Sequence, residues 1–271
     1  MDRFLVSVSC YNNDDEIVAF AKDLANQVNR KQLYLLVTCN SCLDFNLLQN
    51  RVVSAFENTK LFNPGSNLGY IHGCLYGIVN SGIDYDWALI SNTDIQFRTD
   101  DFFEQLTTNV IENVWCIGPD IILSATGEYQ NPYMITRPSK QQIIKWKLMF
   151  SNRFTYELSC RLAKIKHKCF PKKQFLTDKE FVYAIHGSCF LLRKGCVEAI
   201  ERLRDPIFMY GEELLVAEVV RSHNKLCKYV KNAGIYHNEN QVTGKIDYAK
   251  KFDWVKTSQG YILNKFYTDV E

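Results

Sequence analysis

Short apolar runs alternate with helix-like periodicity along the first third of the chain. The runs at residues 4–10, 33–37, 60–62 and 87–90 have strand length and end in polar residues. Between the early runs, apolar residues recur three or four positions apart, as they do on the buried face of a helix. The positions concerned are Val18, Ala21, Leu24, Ala25 and Val28, then Phe45, Leu48, Val52 and Phe56. This alternation predicts an α/β fold built on a parallel sheet.

The richest combination of glycine and polar residues lies at 63–97. Gly69, Gly73 and Gly77 recur every fourth residue, so we expect all three to lie on one helix face and to allow a close approach of its backbone. The strand at 87–90 then ends in the polar tetrapeptide 91–94. Since α/β sheets bind ligands beyond the carboxyl ends of their strands, we expect a phosphate-bearing ligand between this helix start and a metal ion on Asp94.

The rest of the chain continues the same pattern. Further strand-like runs follow at residues 114–118, 120–123, 186–193 (opened by a small turn) and 227–230, with a helical pattern at 101–111. Glu212 and Glu213 stand directly before the apolar run of a helix, where two acids also complement the helix dipole, which is the structural alternative to a catalytic role. We expect a catalytic domain over residues 1–240, with a basic helical insertion at about 138–180, and a helical, aromatic tail over residues 241–271.

Positive charge is concentrated between Lys140 and Lys173, where ten Lys and Arg residues accompany one acid, Glu157. Apolar residues in this segment are three or four positions apart, which predicts a helix. They are Ile143, Trp146, Phe150, Phe154, Leu158, Leu162 and Ile165. Two interpretations stay open: a basic helix lying on an anionic membrane face, or a solvated flap or hairpin that covers the active site.

The bulk composition excludes little. The net charge is +2, from 32 basic and 30 acidic residues, and no apolar run approaches the roughly 18 residues of a membrane span. Residues 1–10 read as a strand rather than a signal peptide. Ten scattered cysteines favour reduced thiols in a cytosolic protein. The C-x-x-C at Cys39 and Cys42 favours structural thiols over a redox pair or half a zinc site.

In their order along residues 4–240, these motifs resemble the family 2 glycosyltransferases of the GT-A fold, of the bacterial surface-polysaccharide, rhamnosyltransferase-like type. The motifs are Cys10-Tyr11-Asn12, residues 63–70 (NPGSNLGY), Asn92-Thr93-Asp94, Gly187-Ser188-Cys189, residues 208–213 (FMYGEE) and Ile235-Tyr236-His237. The resemblance implies a Rossmann-like, mostly parallel sheet flanked by helices. It also implies transfer of a sugar from a nucleotide-sugar donor linked to UDP, dTDP or GDP.

The resemblance carries residue roles with it. Donor-binding residues would be Ser9, Tyr11, Asn12, Asn40, Asn67, Gly69, Asn92, Thr93, Asp94, His186 and Gly187. Asp94 would supply an oxygen ligand for Mn²⁺ or Mg²⁺, and a nitrogen ligand from His237 would favour Mn²⁺. A base opposite the leaving group would deprotonate the acceptor hydroxyl, with Glu213 preferred over Glu212. Direct attack with one base implies inversion at the anomeric carbon.

Departures from the family pattern bear on these roles. Cys39 stands where the family often has an acid that faces the nucleotide base, so the identity of that base stays open. Asn92 replaces the first acid of the D-x-D motif, which leaves only Asp94 charged. Metal affinity should therefore be low until donor phosphates complete the coordination shell. Glu213 replaces the commoner aspartate.

Other function classes are weaker. A nucleotidyltransferase would need a basic, glycine-rich loop after the first strand, whereas residues 11–16 (YNNDDE) are acidic. A non-catalytic nucleotide- or sugar-binding protein is the remaining alternative, since the metal motif is thinned. We expect a glycan or lipid-linked acceptor in surface polysaccharide synthesis and a cytoplasmic location, including the inner face of the cell membrane. No nucleic-acid partner is expected, and a homodimer stays open.

Overall fold

The strands and helices follow the alternation expected from the hydrophobic pattern. The computed structural model describes residues 2–169, 177–238 and 248–268. Within these residues the strands are β1 (Phe4–Tyr11), β2 (Leu33–Ser41), β3 (Thr59–Phe62), β4 (Trp87–Ser91), β5 (Ile95–Phe97), β6 (Val114–Leu123), β7 (Phe181–Val182), β8 (Cys189–Arg193) and β9 (Leu226–His237). The helices are α1 (Asp14–Ala25), α2 (Phe45–Ala55), α3 (Ile71–Asn80), α4 (Phe102–Thr107), α5 (Lys140–Met149), α6 (Arg153–Cys169), α7 (Lys194–Leu203), α8 (Glu212–Ser222) and α9 (Tyr248–Phe266).

Strands β3, β2, β1 and β4 form the parallel half of the sheet. Phe4 of β1 lies beside Leu33 of β2 and Trp87 of β4, so their carboxyl ends reach the same edge. Successive residues of β1 point to opposite faces: Leu5 belongs to the core shared with α3, α7 and α8, and Val6 to the core shared with α1 and α2. Burial on both faces explains why these strands read as continuous apolar runs.

Beyond β4 the sheet becomes mixed. Strand β8 runs antiparallel to β4 and β6, and β9 runs parallel to β6 but antiparallel to β5 and β7. The predicted α/β fold, with a mostly parallel sheet flanked by helices, is confirmed. The bounds of two expected strands were wrong. Residues 114–123 form one strand with a register shift between Pro119 and Asp120, and the strand expected at 227–230 extends to His237.

The basic segment contains two helices where a single helical pattern was expected. A capping box starts α5: the Gln142 N–H donates to Ser139 Oγ, and the Ser139 N–H donates to Gln142 Oε1 at 2.8 Å. Residues 150–152 then separate α5 from α6. The side chains of Lys164, Lys166 and Lys168 and all of residues 170–176, with Lys172 and Lys173, lie outside the described residues. No helix of the described segments combines the length and the apolar character that a bilayer crossing requires.

A buried ion cluster holds the end of α9. The fully buried Glu218 accepts hydrogen bonds from Arg137 Nε (2.8 Å), Arg221 Nε (2.8 Å) and Tyr183 Oη (2.5 Å). Burial alone would raise the pKa of Glu218, but these donors hold it below its ordinary value. Arg137 also donates to the Phe266 carbonyl at 2.7 Å. The predicted tail therefore includes a docked helix at 248–266, while residues 239–247 and 269–271 lie outside the described residues and the domain boundary at 240 stays a prediction.

Candidate active site

Residues at the carboxyl ends of β1 and β2 form hydrogen bonds with the loop that precedes α3. Asn40 Nδ2 donates to Ser9 Oγ (2.6 Å) and to the Gly69 carbonyl (2.8 Å), and Asn40 Oδ1 accepts from the Leu68 N–H (2.9 Å). Ser9 Oγ donates to the same carbonyl at 3.3 Å. Asn67 Oδ1 closes a local turn by accepting from the Gly69 N–H at 2.9 Å. Four of the predicted donor-binding residues thus lie together at this edge of the sheet.

Glycines let α3 and its preceding loop approach other backbone and strand atoms. A Cβ at Gly73 would stand 2.8 Å from Ser9 Oγ, which confirms the close approach expected there. The expectation that Gly69 lies on the same helix face was wrong, because α3 begins at Ile71. Gly69 has a φ of +79°, and a Cβ would stand 2.0 Å from the Phe208 carbonyl oxygen, which accepts from the Tyr70 N–H at 3.0 Å. The loop that precedes α3 is therefore joined by a backbone hydrogen bond to the segment that leads into α8.

We predict that Gly69→Ala destabilises the protein by about 2–5 kcal/mol, because it adds a clash with the Phe208 backbone to the cost of a left-handed conformation. Urea unfolding followed by circular dichroism would measure the loss. Gly65→Ala is the matched control: Gly65 has φ +75°, but nothing lies within 4 Å of its Cβ. This control should lose only about 1–2 kcal/mol. Equal losses in the two variants would contradict a constraint at Phe208.

Tyr11 and Asn12 lie at the tip of β1. Asn12 has φ +55°, its N–H donates to the Ser41 carbonyl (2.9 Å), and its Oδ1 accepts from Ser41 Oγ (2.7 Å). These contacts hold the turn and leave the Tyr11 side chain 47% exposed. An exposed ring at a strand tip has the geometry to stack on a nucleotide base, and this role stays a prediction.

Asn92, Asp94 and His237 converge where β4 leads into β5. Strand β5 pairs with β9, so that Ile95 lies opposite His237. His237 Nδ1 lies 2.6 Å from Gln130 Oε1, and an acceptor at that position requires the imidazole proton on Nδ1. In the neutral imidazole Nε2 is then an acceptor, 3.4 Å from Asn92 Nδ2 and 3.3 Å from Asp94 Oδ1.

The possible metal ligands at Asp94 and His237 suit a divalent cation. Asp94 Oδ1 is buried and has no hydrogen-bond donor among the described residues. Asp94 Oδ1 and His237 Nε2 are 3.3 Å apart, and a cation bound by this oxygen and by the nitrogen of the neutral imidazole would satisfy Asp94 Oδ1. A carboxylate oxygen with an imidazole nitrogen suits Mn²⁺. No cluster of three or more His, Cys, Asp or Glu side chains occurs in the described part of the chain, so other ligands, such as water or the phosphate oxygens of a nucleotide, would complete the coordination shell.

Thr93 makes its side-chain contacts toward α1. Its Oγ1 accepts from Asn13 Nδ2 (2.7 Å) and donates to Glu16 Oε2 (3.2 Å), and Asn13 Nδ2 also donates to Glu16 Oε2 (3.2 Å). The nearly buried Thr93 therefore ties the tip of β4 to the start of α1. The contact between Thr93 and a nucleotide sugar stays a prediction, because the hydrogen bonds of this side chain join it to Asn13 and Glu16.

His186 and Gly187 form the turn that leads into β8. The His186 N–H donates to Asn131 Oδ1 (2.7 Å), and His186 Nδ1 accepts from the Ser188 N–H (3.2 Å), which places the imidazole proton on Nε2. Burial, with a smaller contribution from His237, lowers the pKa of His186 to about 3. His186 is therefore neutral at physiological pH, and its Nε2–H is a hydrogen-bond donor.

Glu212 and Glu213 lie in the first turn of α8, behind Gly211 with φ +115°. Glu213 Oε1 accepts from the Gly187 N–H at 3.3 Å, and a Cβ at Gly187 would stand 2.8 Å from both Glu212 Cγ and Glu213 Oε1. Burial and the charge of Glu213 raise the pKa of Glu212 to about 8. Burial also raises the pKa of Glu213, but backbone N–H groups at 187, 211 and 213 counteract it. At neutral pH the pair therefore holds one proton on Glu212 and one charge on Glu213.

The two groups of predicted site residues meet at the turn 186–188. The imidazole centroids of His237 and His186 are 6.1 Å apart, and the next residue, Gly187, bonds Glu213. Tyr70 Oη donates to the Gly187 carbonyl at 2.8 Å, which connects the start of α3 to the same turn. The predicted metal ligands and the predicted bases thus share one region of the molecule.

Sequence reasoning missed the loop that orients the two histidines. Gln130 bonds His237, Asn131 bonds His186, and the 46% exposed Tyr133 lies 6.1 Å from the His186 ring. The charge of Glu213, together with burial, raises the pKa of Tyr133. The signal that could have found this loop is its position after the carboxyl end of β6.

No protein-family model and no curated protein sequence matches the chain. Solved structures do match its fold. The mannosyltransferase PcManGT from Pyrobaculum calidifontis, in complex with GDP-Man and Mn²⁺, has a TM-score of 0.58 and 12% identity, over 89% of this chain and 58% of its own. GalNAc-T7 with UDP, GalNAc and Mn²⁺ has a TM-score of 0.66 and 11% identity, over 100% and 50%. A mycobacterial protein has a TM-score of 0.57 and 11% identity, over 98% and 75%.

These similarities establish the fold. The α/β architecture is that of the GT-A glycosyltransferases, and two of the similar structures were solved with Mn²⁺ and either a nucleotide sugar or a nucleotide. The chain spans only 58% and 50% of those two proteins. Identities of 11–12% leave the family 2 and rhamnosyltransferase-like assignments as predictions.

Proposed function

We propose that this protein is an inverting, metal-dependent glycosyltransferase that moves a sugar from a nucleotide-sugar donor to a hydroxyl group of a glycan or lipid-linked acceptor. The observation that carries the proposal is the turn 186–188, which lies between the Asp94–His237 pair, with its unsatisfied Asp94 Oδ1, and a buried glutamate pair. A cation site beside a base is the arrangement that displacement of a diphosphate by an alcohol requires.

Asp94 Oδ1 and His237 Nε2 would hold the cation, Mn²⁺ or Mg²⁺, with Mn²⁺ preferred because one ligand is nitrogen. When bound, such an ion neutralises the negative charge that develops on the departing diphosphate. Gln130 keeps the proton of His237 on Nδ1 and so keeps Nε2 available as a ligand. Asn92 Nδ2 lies 3.4 Å from His237 Nε2, and we expect it to donate a hydrogen bond to the ribose or the diphosphate of the nucleotide sugar.

Glu213 is the preferred base. As the acceptor oxygen forms its bond to the anomeric carbon, the acceptor proton passes to Glu213, and the bond from that carbon to the diphosphate breaks, with its electron pair leaving on the diphosphate oxygen. Attack from the face opposite the leaving group inverts the configuration. Glu212 stays protonated at neutral pH, so it adds no second charge beside the incoming alcohol.

A screen of nucleotides and nucleotide sugars would test the proposal. We expect one of UDP, dTDP or GDP, at about 100 times its Kd, to raise Tm by about 5–10 °C in the presence of Mn²⁺ and much less without it. The matching nucleotide sugar should release its sugar to water or to an added acceptor. Tight metal-independent nucleotide binding without any turnover would favour a non-catalytic binding protein instead. Pyrophosphate release from a nucleoside triphosphate would favour a nucleotidyltransferase.

A further inference from the structure

Helices α5 and α6 expose a row of large apolar side chains. On α6, Phe154 is 74% exposed and Leu162 is 58% exposed, and on α5 Leu148 is 64% exposed. The full set is Ile144, Leu148, Phe154, Leu158, Leu162 and Ile165. Within each helix the members are three or four positions apart, so they share one face. We call these six side chains the α5–α6 apolar face.

The opposite side of α6 is fixed to the rest of the protein. The buried Tyr156 packs between Phe150 and Phe252, with ring centroids 6.2 and 5.3 Å apart, and Val255 of α9 completes this small core. Tyr156 lies two positions from Phe154 and from Leu158, which places it on the other side of the helix. The orientation of α6 is therefore set by packing against α9, and its apolar face is directed outward by that packing.

Cations flank the α5–α6 apolar face. Lys145, Lys147 and Arg161 are exposed, and none of the described residues forms an ion pair with them. The acid Glu157 is engaged by Arg153 at 2.7 Å. A face that combines apolar side chains with unneutralised cations matches a surface that offers both hydrocarbon and negative charge.

We propose that the α5–α6 apolar face docks on the surface of an anionic lipid bilayer. A bilayer interface buries Phe154, Leu158 and Leu162 and brings phosphate groups to the flanking cations. A second copy of the chain fits less well. In a two-fold symmetric contact each patch meets its own copy, so the same unneutralised cations would be brought together.

Helix α9 connects α6 to the segment that carries the glutamate pair. Helix α9, which anchors α6, also holds the residues that precede α8: Ser258 Oγ donates to the Met209 carbonyl at 3.0 Å, and the rings of Trp254 and Phe208 are 4.9 Å apart. If the bilayer also presents the acceptor, the group that attacks the sugar would be a lipid-linked hydroxyl. This second consequence rests on the proposed glycosyltransferase function, whereas lipid binding itself does not.

Flotation of the full chain with vesicles would test the proposal. Vesicles of phosphatidylcholine mixed with phosphatidylglycerol should bind the protein, and binding should weaken as salt is added. Replacing the three cations (K145Q, K147Q and R161Q together) should weaken binding by roughly a hundredfold, since each cation near such a surface contributes about fivefold. Leu158→Ser with Leu162→Ser should weaken it by at least about tenfold. Leu43→Ser with Leu47→Ser, at two positions 89% and 56% exposed elsewhere, is the matched control and should bind like the wild type.

Three outcomes would overturn the proposal. The first is that the protein does not bind the anionic vesicles, and the second is that the Leu43/Leu47 control loses as much vesicle binding as the Leu158/Leu162 variant. The third is that the protein does not bind vesicles but forms a dimer in sedimentation velocity, and that the Leu158/Leu162 variant alone is monomeric. The nucleotide screen without vesicles separates this failure from failure of the proposed function. The surface variants should retain the nucleotide response of the wild type, because none of their substitutions touches the candidate active site.

Discussion

Replacing Asp94 with asparagine is expected to lower kcat by about 10³-fold. An ion held by this carboxylate contributes several kcal/mol to stabilising the departing diphosphate, and each 1.4 kcal/mol corresponds to a factor of ten in rate. The substitution keeps the size of the side chain but removes the charge from Oδ1, the buried oxygen that faces His237 Nε2. Steady-state kinetics across a Mn²⁺ titration, with the donor found in the nucleotide screen, would measure the effect.

A binding measurement distinguishes loss of the ion from loss of the fold. Calorimetric titration of the nucleotide should show tighter binding with Mn²⁺ in the wild-type protein and no Mn²⁺ effect in Asp94→Asn. The control is Asp100→Asn, an exposed acid beyond β5, which should keep both the rate and the Mn²⁺ effect. Asp94→Asn with a wild-type rate and an unchanged Mn²⁺ response would contradict the assignment.

The meeting of Asp94 with His237 was predictable only in part. Each residue follows a strand-like run, and the rule that ligands bind beyond strand ends places both near one edge of the sheet. What brings them into contact is the pairing of β5 with β9, and β5 has only three residues. So short a strand leaves no periodicity to detect. The proton position on His237 depends on Gln130, whose loop carries no sequence pattern.

The spacing of the glycines predicted the close approach at Gly73 but not the contact that requires a glycine at position 69. The four-residue spacing predicted close packing of a helix face, and Gly73 packs on Ser9 in this way. Gly69 lies before the helix. A side chain at this position would clash with the backbone of Phe208, a residue far away in the sequence. A spacing rule describes one element, so it cannot report a contact between two loops.

The basic segment shows the same limit. The apolar positions at 143–165 predicted a helix, yet Ile143 is buried while Leu158, Leu162 and Ile165 are exposed. The break between α5 and α6 changes which side of the pattern faces the protein. Only the position of α9 decides this, because its Phe252 occupies the other side of α6.

Replacing Glu213 with glutamine is expected to lower kcat by about 10²- to 10⁴-fold, the usual contribution of a general base. Glutamine retains an oxygen that can accept from the Gly187 N–H but cannot take up the acceptor proton. The rate of the wild type should rise with pH as Glu213 ionises, and this rise should be absent in Glu213→Gln. Measuring kcat/KM against pH for both proteins would show it.

Glu212→Gln is the matched variant, because it changes the neighbouring carboxyl group that is already protonated at neutral pH. Its rate should fall by less than about tenfold. Its stability should change in a defined direction. The folded protein keeps a proton on Glu212 up to pH about 8, whereas an ordinary glutamate releases it near 4.5, so the unfolded state binds fewer protons in that window. The contribution of the protonated Glu212 to the free energy of unfolding is largest below pH about 4.5. It is lost as the pH rises to about 8.

Thermal unfolding across this window therefore tests the roles of the two glutamates independently of turnover. The wild-type Tm should fall between pH about 4.5 and about 8, and Glu212→Gln should remove most of that fall, because glutamine cannot release a proton. Glu213→Gln should leave Glu212 without a neighbouring charge, which lowers the pKa of Glu212 and moves the end of the fall to lower pH. If Glu212→Gln instead abolished transfer while Glu213→Gln kept it, the base would be Glu212, and the proton would have to lie on Glu213 in the active enzyme.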